Sequence, residues 1–297
     1  MSMRALAKGL TAAVAAGTAA LGLTAPAAHA AAPAPHTAGP VAYVAMGDSY
    51  SAGSGILPLD PSASPLCARS TANYPHVLAA ATGAQLTDVT CGGAQTKDYA
   101  GSQYPGVAPQ LDALGAGTGL VTMTIGGNDS NTFIDAILAC GTAGIATAGL
   151  GHPCQSLYGD SFDTTVDTVT YPAVKAALQA VRAKAPGARV AVLGYPWILP
   201  ATADPTCFAK MPIASGDVPY LRDLQTHLNA AVARAARETG SAYVDLSGVS
   251  EGHDACAAAD TRWIEPVLFG TNFVPVHPNA RGEAAMARQT ASVLHLG

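Results

Sequence analysis

The chain has 297 residues, 49% of them hydrophobic and only 12% charged, long enough for one sizeable domain with its own core. Its 15 basic and 20 acidic residues leave a net charge of −5, and no Lys/Arg block occurs. That mild acidity argues against a nucleic-acid partner and against electrostatic anchoring to a membrane.

Residues 1–30 read as a secretory signal peptide. Arg4 and Lys8 form a basic start, an apolar Ala/Gly/Leu stretch runs from Gly9 to about Leu23, and Ala28-His29-Ala30 supplies a small-residue cleavage site. The stretch is short for a bilayer span of about 20 residues, so stable membrane anchoring is not expected and an extracellular location is. Cleavage after Ala30 removes two cations and no acid, moving the net charge from −5 to −7. Residues 31–39, Ala/Pro-rich, read as a loose leader. Residues 40–297 read as a single domain, because no repeat or linker divides them.

Along that domain, short apolar runs predict strands at Val41–Met46, Leu86–Thr90, Leu120–Ile125, Arg189–Leu193 and Ala242–Leu246. Ala-rich stretches between and after them predict helices at Tyr74–Ala81, Asn131–Leu138, Ala173–Ala183, Tyr220–Glu238 and Asn279–Leu294. Strands alternating with helices predict an α/β fold with a parallel sheet covered on both faces. Ligands bind such sheets beyond the carboxyl ends of the strands. Six cysteines behind a signal peptide read as disulfides. Among the possible pairings the sequential one is preferred, Cys67–Cys91, Cys140–Cys154 and Cys207–Cys256, each closing a modest loop worth about 2–4 kcal/mol. No C-x-x-C or Cys/His pair at zinc spacing occurs, so no structural metal is expected.

Four loops carry chemistry-bearing residues. Gly47-Asp48-Ser49 follows the first strand, where a serine at a helix start lies beside free backbone N–H groups; an ordinary N-cap is the competing reading. A second Gly-Asp-Ser, ending in Ser161, follows no buried strand and reads as a loop or cap. Cys91-Gly92-Gly93-Ala94 follows the second strand, and adjacent glycines allow close approach of backbone to a ligand. Gly126-Gly127-Asn128-Asp129 follows the third; the Asn128 amide could donate to an oxyanion or cap the next helix. Near the C-terminus, His277 precedes Pro278, a natural first helical residue, so its ring can project into a cleft. His76 and His227 fall in helical stretches, and His36 and His295 near the ends. His152 and His253 fall in cysteine-adjacent loops.

Together the four segments GDSYSAG, CGGA, GGND and VHPNARG resemble the serine, glycine, asparagine and histidine blocks of the SGNH (GDSL-type) hydrolase superfamily, in its order, over nearly the whole domain. The cysteines in sequential pairs look like its secreted bacterial lipase/esterase branch. The resemblance implies a three-layer α/β/α, flavodoxin-like sandwich on a five-stranded parallel sheet. It also implies a serine carboxylic-ester hydrolase working by two-step acyl transfer without cofactor or metal. Ser49 would be the nucleophile and His277 the base, and the N–H groups of Ser49 and Gly93 with the Asn128 amide would form the oxyanion hole. One departure is plain: the family's usual aspartate before the histidine is absent, and Val274-Pro275-Val276 stands there instead. The expectation is a dyad oriented by the carbonyl of Val274 or Pro275, with a distant carboxylate, Asp254 or Asp260, as the alternative. Small-molecule or lipid esters are the expected substrates; phospholipase A and carbohydrate deacetylase are the rival activities, and an inactive secreted binding protein is the non-enzymatic one. Ile198, Leu199, Phe208, Met211 and Ile213 suit either an acyl-chain site or core packing. Only two tryptophans, Trp197 and Trp263, speak against a long sugar-stacking groove. Nothing points to an oligomer, so a monomer is the default.

Overall fold

The computed structural model of the protein describes residues 39–203 and 205–296; the signal-peptide expectation and nearly all of the leader lie outside the described residues. From Gly39 onward the chain forms one compact unit. Its centre is a five-stranded, all-parallel sheet of β1 (Ala42–Gly47), β2 (Gln85–Asp88), β3 (Leu120–Thr124), β4 (Arg189–Leu193) and β5 (Ala242–Val244), in the order β2-β1-β3-β4-β5. The central strands are buried almost throughout, whereas the β2 edge alternates exposed and half-buried residues. That gradient is why β3 reads as a largely apolar run and β2 as a weaker strand signal.

Nine α-helices are described: α1 (Ser49–Ala52), α2 (Tyr74–Thr82), α3 (Thr132–Ala146), α4 (Pro153–Tyr158), α5 (Ser161–Thr165), α6 (Tyr171–Lys184), α7 (Asp217–Thr239), α8 (Ser247–Ser250) and α9 (Ala280–Leu294). α2 packs on α9, and α6 on α7. With the usual right-handed crossovers, this strand order places the first pair on one face of the sheet and the second on the other, the arrangement of an α/β/α sandwich. The chain runs from β1 outward to β2 and then back across to β3, so the strand order reverses between β1 and β3. Their carboxyl ends therefore open into the crevice where such sheets take ligands.

Several boundaries shift from the sequence expectation for identifiable reasons. β2 ends at Asp88 because its Oδ1 accepts the Thr90 N–H (2.9 Å) and turns the chain. β5 stops at Val244, where Asp245 Oδ1 takes the Ser247 N–H (2.8 Å) in a similar turn. α3 runs to Ala146 rather than stopping near Leu138. The glycine that looks like a weakness there is a packing device: a Cβ on Gly144 would lie 2.4 Å from the Pro212 carbonyl oxygen. Ser161, of the second Gly-Asp-Ser, is the exposed first residue of α5, away from any strand end.

The disulfides join Cys67 to Cys91, Cys140 to Cys154 and Cys207 to Cys256. The first ties the segment after α1 to the glycine loop after β2. Of the apolar loop after β4, Leu199, Met211 and Ile213 are core residues; Ile198, also buried, borders the cavity described next.

Candidate active site

Asp48 follows β1 in extended conformation and caps α1, its Oδ1 accepting the Tyr50 N–H at 3.0 Å. Ser49 is thereby the first helical residue, and its own N–H has no intrahelical acceptor. In the glycine loop, the N–H groups of Gly92 and Ala94 are taken up by the carbonyls of Cys67 (2.7 Å) and Cys91 (3.1 Å). Between them, Gly93 has φ +76, a left-handed conformation that glycine alone adopts without strain, and its N–H has no partner among the described residues. Asn128 does not cap a helix with its side chain. Its Nδ2 donates to the Ala94 carbonyl (3.1 Å), which uses one of the two amide protons and leaves the other to point elsewhere.

The histidine arrives from the far end of the chain. Val276 has φ +60, a strained conformation for a β-branched residue, and this turn folds the Pro275 carbonyl back to 2.7 Å from His277 Nδ1. A carbonyl only accepts, so Nδ1 carries the proton and Nε2 presents its lone pair. Ser49 Oγ lies 2.7 Å from that Nε2, with its O–H as the donor. The acceptor for Nδ1 is thus Pro275, not Val274. Nor is it a carboxylate: Asp254 accepts the Cys256 N–H (2.9 Å), and exposed Asp260 lies against the Thr261 hydroxyl (3.1 Å). Burial lowers the His277 pKa from 6.5, partly offset by the Pro275 carbonyl.

Four other histidines among the described residues are engaged apart from this centre. His76 bonds Asn73, His227 meets Asp167, His152 meets Ser156, and His253 donates to the Thr261 carbonyl while stacking on Trp263. Trp197 is buried with the Arg222 guanidinium over its ring.

Ser49, Gly93, Asn128 and His277 share the wall of one cavity of about 480 Å³. The rest of its wall is largely apolar, including Phe133, Ile134, Ile137, Ile198 and Leu228, and among the described residues it holds no Lys or Arg. Several supporting residues carry no sign of their task in the sequence. The Tyr50 hydroxyl donates to the Val276 carbonyl (2.7 Å), tying the serine turn to the histidine turn. Asp48 is buried, and that burial raises its pKa to about 6 despite hydrogen bonds from Thr124 and Tyr195. Glu265 brackets the histidine turn: its N–H donates to the His277 carbonyl (2.9 Å) and its carbonyl accepts the Val276 N–H (2.8 Å).

The model of the GDSL-like Lipase/Acylhydrolase family matches residues 45–285, a span holding all four segments. Over 253 residues the chain is 69% identical to Lipase 2 of Streptomyces coelicolor, covering 85% of each protein. Among solved structures, the phospholipase A1 of Streptomyces albidoflavus NA297 is 30% identical with a TM-score of 0.70, over 86% of this chain and 98% of that one. The extracellular lipase of Streptomyces rimosus is 29% identical with a TM-score of 0.69, over 85% and 99%. The chain belongs to the GDSL-like lipase/acylhydrolase family and is a hydrolase of carboxylic esters.

Proposed function

We propose that this enzyme is secreted and hydrolyses esters of apolar acyl chains by two-step acyl transfer, with residues 1–30 as its signal peptide, residues 31–39 as a leader and residues 40–297 as one catalytic domain. The observation that carries the mechanism is the 2.7 Å approach of Ser49 Oγ to His277 Nε2 on the wall of a mostly apolar cavity. His277 takes the Ser49 proton as Oγ bonds to the ester carbon. The carbonyl oxygen becomes an oxyanion held by the Ser49 and Gly93 N–H groups and the free Asn128 amide proton. As the intermediate collapses, the C–O bond to the alcohol breaks and His277 returns the proton to the leaving oxygen. Water then repeats the sequence on the acyl-enzyme, releasing the acid and restoring Ser49. The Pro275 carbonyl stabilises the imidazolium in the role an aspartate has in a triad.

An apolar wall without Lys or Arg suits a hydrocarbon chain and offers no cation to an anionic head group. The printed name of the S. albidoflavus enzyme favours phospholipase A as the second reading. A sugar ester is disfavoured because both tryptophans pack elsewhere, one under Arg222 and one against His253. A fluorophosphonate probe should label the wild type at Ser49 and not Ser49→Ala. A panel of p-nitrophenyl esters from acetate to palmitate, with phosphatidylcholine beside it, then ranks the substrates. Absence of labelling, or acetate far ahead of every longer ester, would overturn the corresponding part of the reading.

A further inference from the structure

Asn128 follows two glycines, and Gly126 has φ +112. Such a loop has little rigidity of its own, yet oxyanion donors act by being held in place before charge develops. Something outside the loop must fix it. The Ala94 carbonyl and Thr96 hold Asn128 and Asp129 from one side, and Tyr195, two residues past β4, reaches Gly127 from the other. The Tyr195 hydroxyl accepts the Gly127 N–H at 2.9 Å and donates to Asp48 Oδ2 at 2.5 Å. One oxygen therefore links the residue before Asn128 to the residue before Ser49.

Tyr195 is itself held from the opposite side. Its N–H donates to Asn229 Oδ1 (2.8 Å), and its carbonyl accepts from Asn229 Nδ2 (3.0 Å) and Gln225 Nε2 (3.2 Å), both on α7. Asp48 is fixed in turn by the Thr124 hydroxyl at 2.6 Å, from the last residue of β3. Tyr195, Asp48, Thr124, Asn229 and Gln225 are buried and Gly127 is half-buried, so the links among the buried groups are strengthened by the low local dielectric. A carboxylate partner makes the Tyr195–Asp48 bond stronger than one between neutral groups.

We propose that Tyr195 is a positioning residue that holds the Asn128 loop in register with Ser49, tethering the oxyanion donors to α7. The proposal rests on the reading of Asn128 as an oxyanion donor. A loosened loop lets the amide drift, and misplacement on the order of 1 Å costs about 10²-fold in rate.

The test is a double-mutant cycle between Tyr195→Phe and Asn128→Ala. Tyr195→Phe keeps the ring and removes only the hydroxyl. In the wild-type background kcat on a p-nitrophenyl ester is expected to fall about 10- to 100-fold with KM within about twofold. A trifluoromethyl ketone, which forms an oxyanion on Ser49, should lose affinity by a comparable factor, while binding of the product acid does not change. In the Asn128→Ala background the same substitution should cost less than about twofold, because the donor it positions is gone. Gly127→Ala provides a second probe, since its new Cβ would come 3.0 Å from the Tyr195 ring and displace the loop without deleting a polar group. It should show the same non-additivity, including if Tyr195→Phe does not fold. Equal losses in both backgrounds, or a KM effect with kcat intact, overturn the assignment of Tyr195. If Asn128→Ala is itself neutral, the oxyanion reading fails and this proposal with it.

Discussion

Replacing Glu265 with alanine should destabilise the protein and slow catalysis together, although its carboxylate does not touch Ser49 or His277. The side chain is almost wholly buried and pairs with Arg262 at 2.7 Å, the two side chains being 2% and 4% exposed. Its Oε1 also accepts from Asn279 Nδ2 (2.9 Å), and its Oε2 from the Thr271 N–H (2.8 Å). The alanine variant leaves a buried guanidinium without its counter-charge, a change that costs about 3–5 kcal/mol. That is a large part of a typical stability of about 5–15 kcal/mol. For a domain of this size it corresponds to a Tm lower by roughly 6–20 °C. Asn279 caps α9 and stands two residues after His277, and the Glu265 backbone brackets the strained Val276 turn. The released turn should let the imidazole drift from Ser49, lowering kcat well beyond any change in KM.

Equilibrium urea unfolding and steady-state kinetics on a short ester measure both effects. The pH dependence adds a signature. Burial alone would raise the Glu265 pKa, but hydrogen bonds from Asn279, Arg262 and Thr271 outweigh it and lower the value below 4.5. Stability contributed by a carboxylate of this kind is complete above its unfolded pKa and disappears as pH falls through the lowered folded value. The wild type should therefore lose stability below pH 4.5 more steeply than Glu265→Ala. A destabilisation under about 1 kcal/mol, with wild-type kcat, would refute the reasoning.

Asn128→Ala should lower kcat by roughly 10²–10³-fold with near-normal thermal unfolding, the loss seen when one oxyanion donor is removed from a comparable hydrolase; normal turnover would remove it from the site. Because His277 must be neutral to accept the Ser49 proton and burial lowers its pKa, the acid limb of kcat/KM should have its midpoint below 6.5. A midpoint above that value would contradict the half-buried, carbonyl-oriented imidazole. Asp254→Ala and Asp260→Ala should each retain at least about half of wild-type kcat, since neither acid meets the ring. Loss of most activity in a folded variant of either would restore a carboxylate to the mechanism.

What the sequence by itself determined is local in origin. Buried strands such as VAYVAM and LVTMTI announce themselves by continuous hydrophobicity, and the α/β class follows from their alternation with Ala-rich helices. Ser49 and Asn128 follow strands β1 and β3, and His277 precedes α9; a residue type next to an element end is a short-range pattern. What only the tertiary structure decided depends on contacts that no short window contains. Whether the Val274 or the Pro275 carbonyl meets the imidazole turns on the positive φ of Val276, which is held by Tyr50 and Glu265 rather than by its neighbours. Tyr195 looks like any aromatic after a strand, because its partners, Asp48 and Gly127, are 147 and 68 residues away in the chain. Periodicity and capping act over one or two turns, whereas the burial that forces a polar group to find a partner exists only once the sheet has assembled.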